Sequence, residues 1–200
     1  MSKNKKLDWY DVTLLQFNKL QEILEVEDDL ERVVLVSELI LGDKITDLPL
    51  KEYNEAVKKL DFLKEPIPDK NPPHKIEVNG RKYYLDCLLG NVTTAQYIDY
   101  INHAKDNDIA KMLSVFMIPV GHKYNDGYDM MQVINDINDI PIPVVNSAAF
   151  FFGRQFSKFM QIFQSYSIKE IKETNLPNEI KKNMIKIVKN SVDLVLSPLS

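Results

Sequence analysis

The stretch IEVNGRKYYLD, Ile76 to Asp86, interrupts a chain whose remaining patterning is helical, and its reading decides how the rest is arranged. Asn79-Gly80 sits between two short runs rich in β-branched and aromatic residues. A type I′ hairpin loop needs positive φ at both central positions, which asparagine tolerates and glycine adopts freely, so this dipeptide predicts a tight turn. Counting outward pairs Val78 with Arg81, Glu77 with Lys82, Ile76 with Tyr83 and Lys75 with Tyr84. Ile76, Val78, Tyr83 and Leu85 then share one face, while Glu77 and Lys82 form an opposite-charge pair on the other. An isolated hairpin is marginal in water, so its apolar face is expected to pack on helices.

Just before the hairpin, EPIPDKNPP places four of the chain's ten prolines within Pro66 to Pro73. Proline fixes its own φ and pushes the preceding residue toward extended backbone. Residues 65–73 therefore read as a linker between an N-terminal three-helix unit, 1–64, and a second unit, 74–200, of hairpin plus helices. Thr13-Leu14-Leu15-Gln16 has capping-box spacing and opens a helix to about Leu24, with Leu14, Phe17, Leu20 and Leu24 as apolar positions. A second helix is expected from Asp28 or Asp29, where acids favour the positive helix end, to Gly42. Its run Leu30, Val33, Val34 and Val36 to Ile40 is nearly continuous, the pattern of a helix buried on most sides. Pro49 opens the third, which reaches about Leu63.

Beyond the hairpin, Thr93-Thr94-Ala95-Gln96 repeats the capping-box spacing and predicts a helix to about Ala104. Further helices are expected from Asp108 to Ile118, from Gly127 to Ile137, from Val144 to Gln164, and from Pro177 or Asn178 onward. The fold class is mainly α: a helical bundle of about seven to eight helices in two subdomains with one small antiparallel β-hairpin.

With 44% hydrophobic and 27% charged residues, the chain has the composition of an ordered protein, and a net charge of −4 gives no field drawing it to nucleic acid. No apolar run reaches the roughly 18 residues of a membrane span, and the N-terminal lysines precede no secretion-type segment, so a cytosolic chain is expected. The single cysteine, Cys87, has no internal disulfide partner and reads as a small buried or half-buried residue. His74, His103 and His122 lack the spacing of a zinc helix. Asn125-Asp126-Gly127-Tyr128-Asp129 resembles a calcium loop only in outline, since Tyr124 and His122 occupy ligand positions, and reads as a polar turn. Gly121 and Gly127 lack the ending of a phosphate loop, and no Gly-x-Ser-x-Gly occurs. No catalytic, cofactor-binding or metal-binding residue is assigned, and the chain is expected not to be an enzyme.

Phe152, Phe156, Phe159 and Phe163 fall at helical steps on one face. Such a stripe is core if covered and a partner-binding face if open, and these four residues are the candidate contact site. Leu41-Gly42-Asp43-Lys44-Ile45 joins two helices at the length of a DNA-binding helix-turn-helix, but its charge opposes that role. From Glu22 to Glu55 there are eleven acids against three basic residues, a local net of −8 that repels phosphates. From Ile168 to Asn190 six lysines face three glutamates, a net of +3. This polarity is either plain solvated surface or a means of orienting head-to-tail contacts between copies in a ring.

Several pieces together carry a resemblance. Asp8-Trp9-Tyr10-Asp11-Val12-Thr13 with Gln16-Phe17 opens the chain, followed by Leu41-Gly42, Leu48-Pro49-Leu50 and Leu60-Asp61-Phe62-Leu63. The hairpin then leads to Thr93-Thr94-Ala95-Gln96-Tyr97-Ile98-Asp99, an apolar helix, Tyr124 and Ala149-Phe150-Phe151-Phe152. This order resembles small proteins from phages of gut Bacteroidota grouped with tail assembly chaperones or other virion-morphogenesis proteins. It departs from them after Tyr124, where Asn125-Asp126-Gly127 replaces an arginine-containing charged stretch. The resemblance implies a non-enzymatic assembly protein in the host cytoplasm or the virion. Its partners would be other phage structural proteins or further copies of itself, with neither nucleic acid nor membrane. Two alternatives stand beside the chaperone: a permanent structural subunit of the virion, as connector ring or tail component, and a small host-directed regulator that binds a bacterial protein.

Overall fold

The computed structural model describes residues 6–42, 44–86 and 88–196. Cys87 lies outside them, as do the side chains of Phe159 and Val195. The chain is mainly helical, with α1 (Leu14–Leu24), α2 (Asp29–Leu41), α3 (Leu50–Val57), α4 (Thr94–Lys105), α5 (Ile109–Ser114), α6 (Met130–Asn138), α7 (Ile142–Glu173) and α8 (Asn178–Leu196). One antiparallel sheet is formed by β1 (Lys75–Val78), β2 (Arg81–Leu85) and β3 (Met117–Pro119), in that order.

The hairpin has the expected register, with Val78 opposite Arg81 and Lys75 opposite Tyr84. Asn79 at φ 52° and Gly80 at φ 73° make the primed turn. On the outer face Lys82 Nζ lies 3.8 Å from Glu77. On the inner face Tyr83 and Leu85 are buried, with Ile76 and Val78 packed beside them.

The third strand is a correction. Residues 115–118 read as the end of a helix, yet α5 stops at Ser114 and Met117 to Pro119 pair with Leu85 to Tyr83. Pro119 biases Ile118 toward extended backbone, and the preceding Val115 and Phe116 suit a strand approach as well as a helix. Proline at the end of an edge strand removes no needed ladder bond.

Both capping boxes form. Thr13 Oγ1 accepts from the Gln16 amide at 3.3 Å while Gln16 Oε1 accepts from the Thr13 amide at 3.0 Å, and Thr93 and Gln96 repeat both distances. Helix α6 starts at Met130, three residues later than expected, because the Asp129 carboxylate caps the Met131 and Gln132 amides. Helix α7 runs on to Glu173, past the expected Gln164, since no breaker follows before Thr174.

Residues on both sides of the proline stretch enter one apolar cluster. Trp9, Val12, Leu14, Leu60 and Phe62 join Tyr83, Phe116, Ile137, Val145, Phe152 and Phe156 there. The Leu14 amide donates to Ile140 O at 3.0 Å and the Ile142 amide to Val12 O at 2.8 Å, fastening the first helix to the α6–α7 junction. Trp9 Nε1 donates to Glu65 O at 2.9 Å, tying the N-terminal segment to the start of the linker.

Helix α2 departs from its pattern. Only Ser37 is buried in it, and Leu30 is 75% exposed. The helix packs chiefly on α1 and the turn that follows Gly42, so its apolar run is covered on one side and open on the other.

Candidate interaction site

Helix α7 places its apolar positions on one line: Ile142, Val145, Ala148, Phe152, Phe156 and Met160 are all buried. These steps of three and four are the period of a covered helix face. Phe152 sits at the centre of an aromatic cluster, its ring 4.2 Å from Phe116, 4.5 Å from Tyr100 and 6.0 Å from Phe156. Phe156 stacks on Tyr97 at 5.6 Å. Phe163, one turn further along, is 50% exposed. Of the four phenylalanines, two are core, one stands at the surface, and Phe159 lies outside the described side chains.

Where the cover ends, a cleft of about 510 Å³ opens between the start of α4 and the middle of α7. Val92, Thr93 and Tyr97 form one wall, and Phe156, Met160 and Phe163 the other. Of the polar side chains at its rim, Thr93 is already engaged. Thr93 Oγ1 and the Thr93 amide bond Gln96 Oε1, and Gln96 Nε2 donates to Val115 O at 2.9 Å. Burial pushes the Tyr97 hydroxyl above its ordinary pKa, so that group stays neutral. With no ionised side chain lining it, the cleft is chemically a receptor for an apolar group.

A second feature, invisible from sequence, positions the sheet. Asp136 of α6 is fully buried and accepts five hydrogen bonds. Arg81 Nε and Nη2 approach at 2.7 and 3.1 Å, Asn79 Nδ2 at 2.9 Å and Gln132 Nε2 at 3.2 Å, and the Tyr83 hydroxyl donates to Oδ2. Asn79 Nδ2 also donates to Asp139 at 2.8 Å. Burial alone raises a carboxyl pKa, but the bonds from Arg81, Tyr83 and Asn79 outweigh it and hold Asp136 down to about 2. Burial, then the bond to Asp136, pushes the Tyr83 hydroxyl up to about 12. Asp136 is thus a permanent anion clamping the hairpin turn, with every lone-pair direction used and none aimed at solvent.

No family model, curated protein or solved structure matches the chain. The site therefore has to be read from its own chemistry. Among the described residues, no group of three or more His, Cys, Asp and Glu side chains is placed to hold a metal ion, and no helix is long and apolar enough to cross a membrane. His74, His103 and His122 stand apart on the hairpin flank, α4 and a turn. The Asn125–Asp129 segment is a turn, with Asn125 at φ 64° and the Lys123 amide bonded to Asp126 at 2.8 Å.

Among the exposed apolar residues missed by sequence reasoning are several on three helices. Ile162 and Tyr166 of α7 are 61% and 62% exposed, and Ile180, Met184 and Ile187 of α8 are exposed as well. Leu30 and Val33 of α2 are also exposed. A mark was present for α8, where apolar residues at i, i+4 and i+7 leave the helix with more apolar face than one neighbouring helix covers.

Proposed function

We propose that this chain is a non-enzymatic bacteriophage assembly protein, acting through contacts with other phage structural proteins in head or tail morphogenesis, in the manner of a tail assembly chaperone. The observation that carries the contact role is the cleft ending at Phe163: a mainly apolar receptor lined by no charged side chain suits a partner's hydrophobic side chain or helix face. It would shield that surface until the partner reaches its place. The phage setting rests on the order of motifs from Asp8 to Phe152 described above.

A permanent place in the virion is the second reading, favoured by the apolar side chains left open on α2 and α8, which a standing neighbour would cover. Mass spectrometry of purified particles separates the two. A chaperone is absent from particles yet co-purifies with a structural protein from producing cells; a virion subunit is present in stoichiometric amount. Phe163→Glu is expected to release the co-purifying partner while circular dichroism shows the fold retained. Recovery of a host protein alone, with growth arrest when the chain is expressed by itself, would overturn the assembly role in favour of a host-directed regulator.

A further inference from the structure

We propose that the cleft between α5 and the middle of α7 binds an acidic, apolar peptide segment of a protein partner, whose carboxylate takes the place of Asp69 against Arg154. This contact is separate from the apolar cleft at Phe163 and does not depend on the role given to that cleft.

The cleft has a volume of about 490 Å³. Ile109 and Met112 of α5 form one wall, and Phe150, 57% exposed, stands on the other. Arg154 and Lys158 follow Phe150 at steps of four along α7, so the apolar ring and both cations lie on one side of the helix. The lining includes no acid, and Asp108, next to Ile109, is paired with Lys111 at 3.0 Å.

Polar groups and an internal ion pair define the occupant. Asn146, Ser157 and Gln161 also line the cleft, and their side chains have no hydrogen-bond partner among the described residues. Ser147 and Ser165 of the same helix donate to the carbonyls of Pro143 and Gln161, whereas the Ser157 hydroxyl does not turn back on its helix. Open amide and hydroxyl groups beside apolar walls suit a peptide, whose backbone supplies matching donors and acceptors. A lipid chain would cover those groups without pairing them.

Asp69 of the proline stretch already brings a carboxylate to Arg154, 3.4 Å from Nη1. A close charge-assisted bond measures roughly 2.7–2.9 Å, and both side chains here are more than half exposed. Such a pair is weak and yields to a better-placed carboxylate. Lys158, one turn on, has no partner among the described residues and offers the same ligand a second positive charge. Charge complementarity thus selects an acid, and the walls select an apolar side chain next to it.

Short random peptides displayed on phage, selected against the immobilised full chain with soluble Gly153→Leu chain as competitor, test this. Gly153 lines the cleft and nothing lies within 4 Å of a Cβ placed there, so leucine fills the cleft while favouring the helix. Retained peptides are expected to carry Asp or Glu next to an aromatic or aliphatic residue. The enriched peptide, labelled with fluorescein, is then titrated by anisotropy. Arg154→Gln is expected to weaken binding roughly tenfold, through loss of the charge-assisted bond. Asp69→Asn is expected to tighten it roughly twofold to fivefold, because the internal competitor is gone. Circular dichroism confirms that all three variants fold. A selection that retains no peptide, or only peptides without acids, would overturn the inference. So would unchanged or weaker binding to Asp69→Asn, or displacement of the peptide by an equimolar amount of decanoate, which would assign the cleft to a free carboxylate.

Discussion

Replacing Asp136 by alanine removes the acceptor for five hydrogen bonds and leaves Arg81, Tyr83 and Asn79 facing a cavity. The buried Tyr83 hydroxyl is then left unpaired, at a cost of about 1–3 kcal/mol, while the half-exposed Arg81 side chain is rehydrated. For a chain of this size that lowers the melting temperature by roughly 5 °C. Asp136→Asn keeps the shape and isolates the charge. Holding the carboxyl down to about 2 from its ordinary 3.8 is worth roughly 2.5 kcal/mol at neutral pH. A lowered carboxylate pKa gives stability that is fully present above 3.8 and is lost as pH falls through 3.8 toward 2. Urea denaturation across pH is therefore expected to show the wild-type advantage over Asp136→Asn at its full size near neutrality and shrinking toward pH 2. A loss under about 1 kcal/mol for Asp136→Ala, or wild-type and Asn curves that stay parallel at low pH, would refute the clamp.

The turn itself is testable. Gly80→Ala places a Cβ at φ 73°, and although nothing crowds that atom, the left-handed backbone alone is expected to cost about 1–2 kcal/mol by denaturant titration. Asn79→Asp keeps a residue that tolerates positive φ but sets a third carboxylate against Asp136 and Asp139, so it should destabilise more than Asn79→Gly, and the difference should narrow as pH falls. Along α7, Phe152→Ala is expected to cost about 3–5 kcal/mol, whereas Phe163→Ala, at a half-exposed position, should cost no more than about 1 kcal/mol, measured by thermal melting.

What the sequence carried was local chemistry. The hairpin register follows from two residues, because a primed two-residue turn fixes pairing on both sides of it. The capping boxes at Thr13 and Thr93 were legible for the same reason, each complete within four residues. The third strand was not, since Val115, Phe116 and Met117 satisfy helix and strand patterns alike, and only pairing with Leu85 decides between them. The Asp136 clamp joins residues 53 to 57 positions apart, and nothing near Asp136 in the chain marks it as buried. Periodicity put Phe152 and Phe156 on the same side as Phe163 but says nothing of where along a helix the neighbouring elements end. Helix α2 shows the same limit in reverse: its apolar run asks for burial that the chain supplies on only one side.

The distance in sequence between hairpin and clamp sets an order of events during synthesis. Residues 75–85 leave the ribosome well before 117–119 and 136, so the nascent hairpin meets neither its third strand nor its counter-anion. Until then both of its edges are open, and Tyr83 has no partner for its hydroxyl. Closing a loop of this length carries an entropic cost of roughly 3.5 kcal/mol, which the clamp has to exceed before the sheet is held. The last β-strand to be made is thus a cover arriving late, and until it arrives Glu77 and Lys82, on the face that never becomes core, are the charged side chains that oppose pairing of the waiting hairpin with another strand.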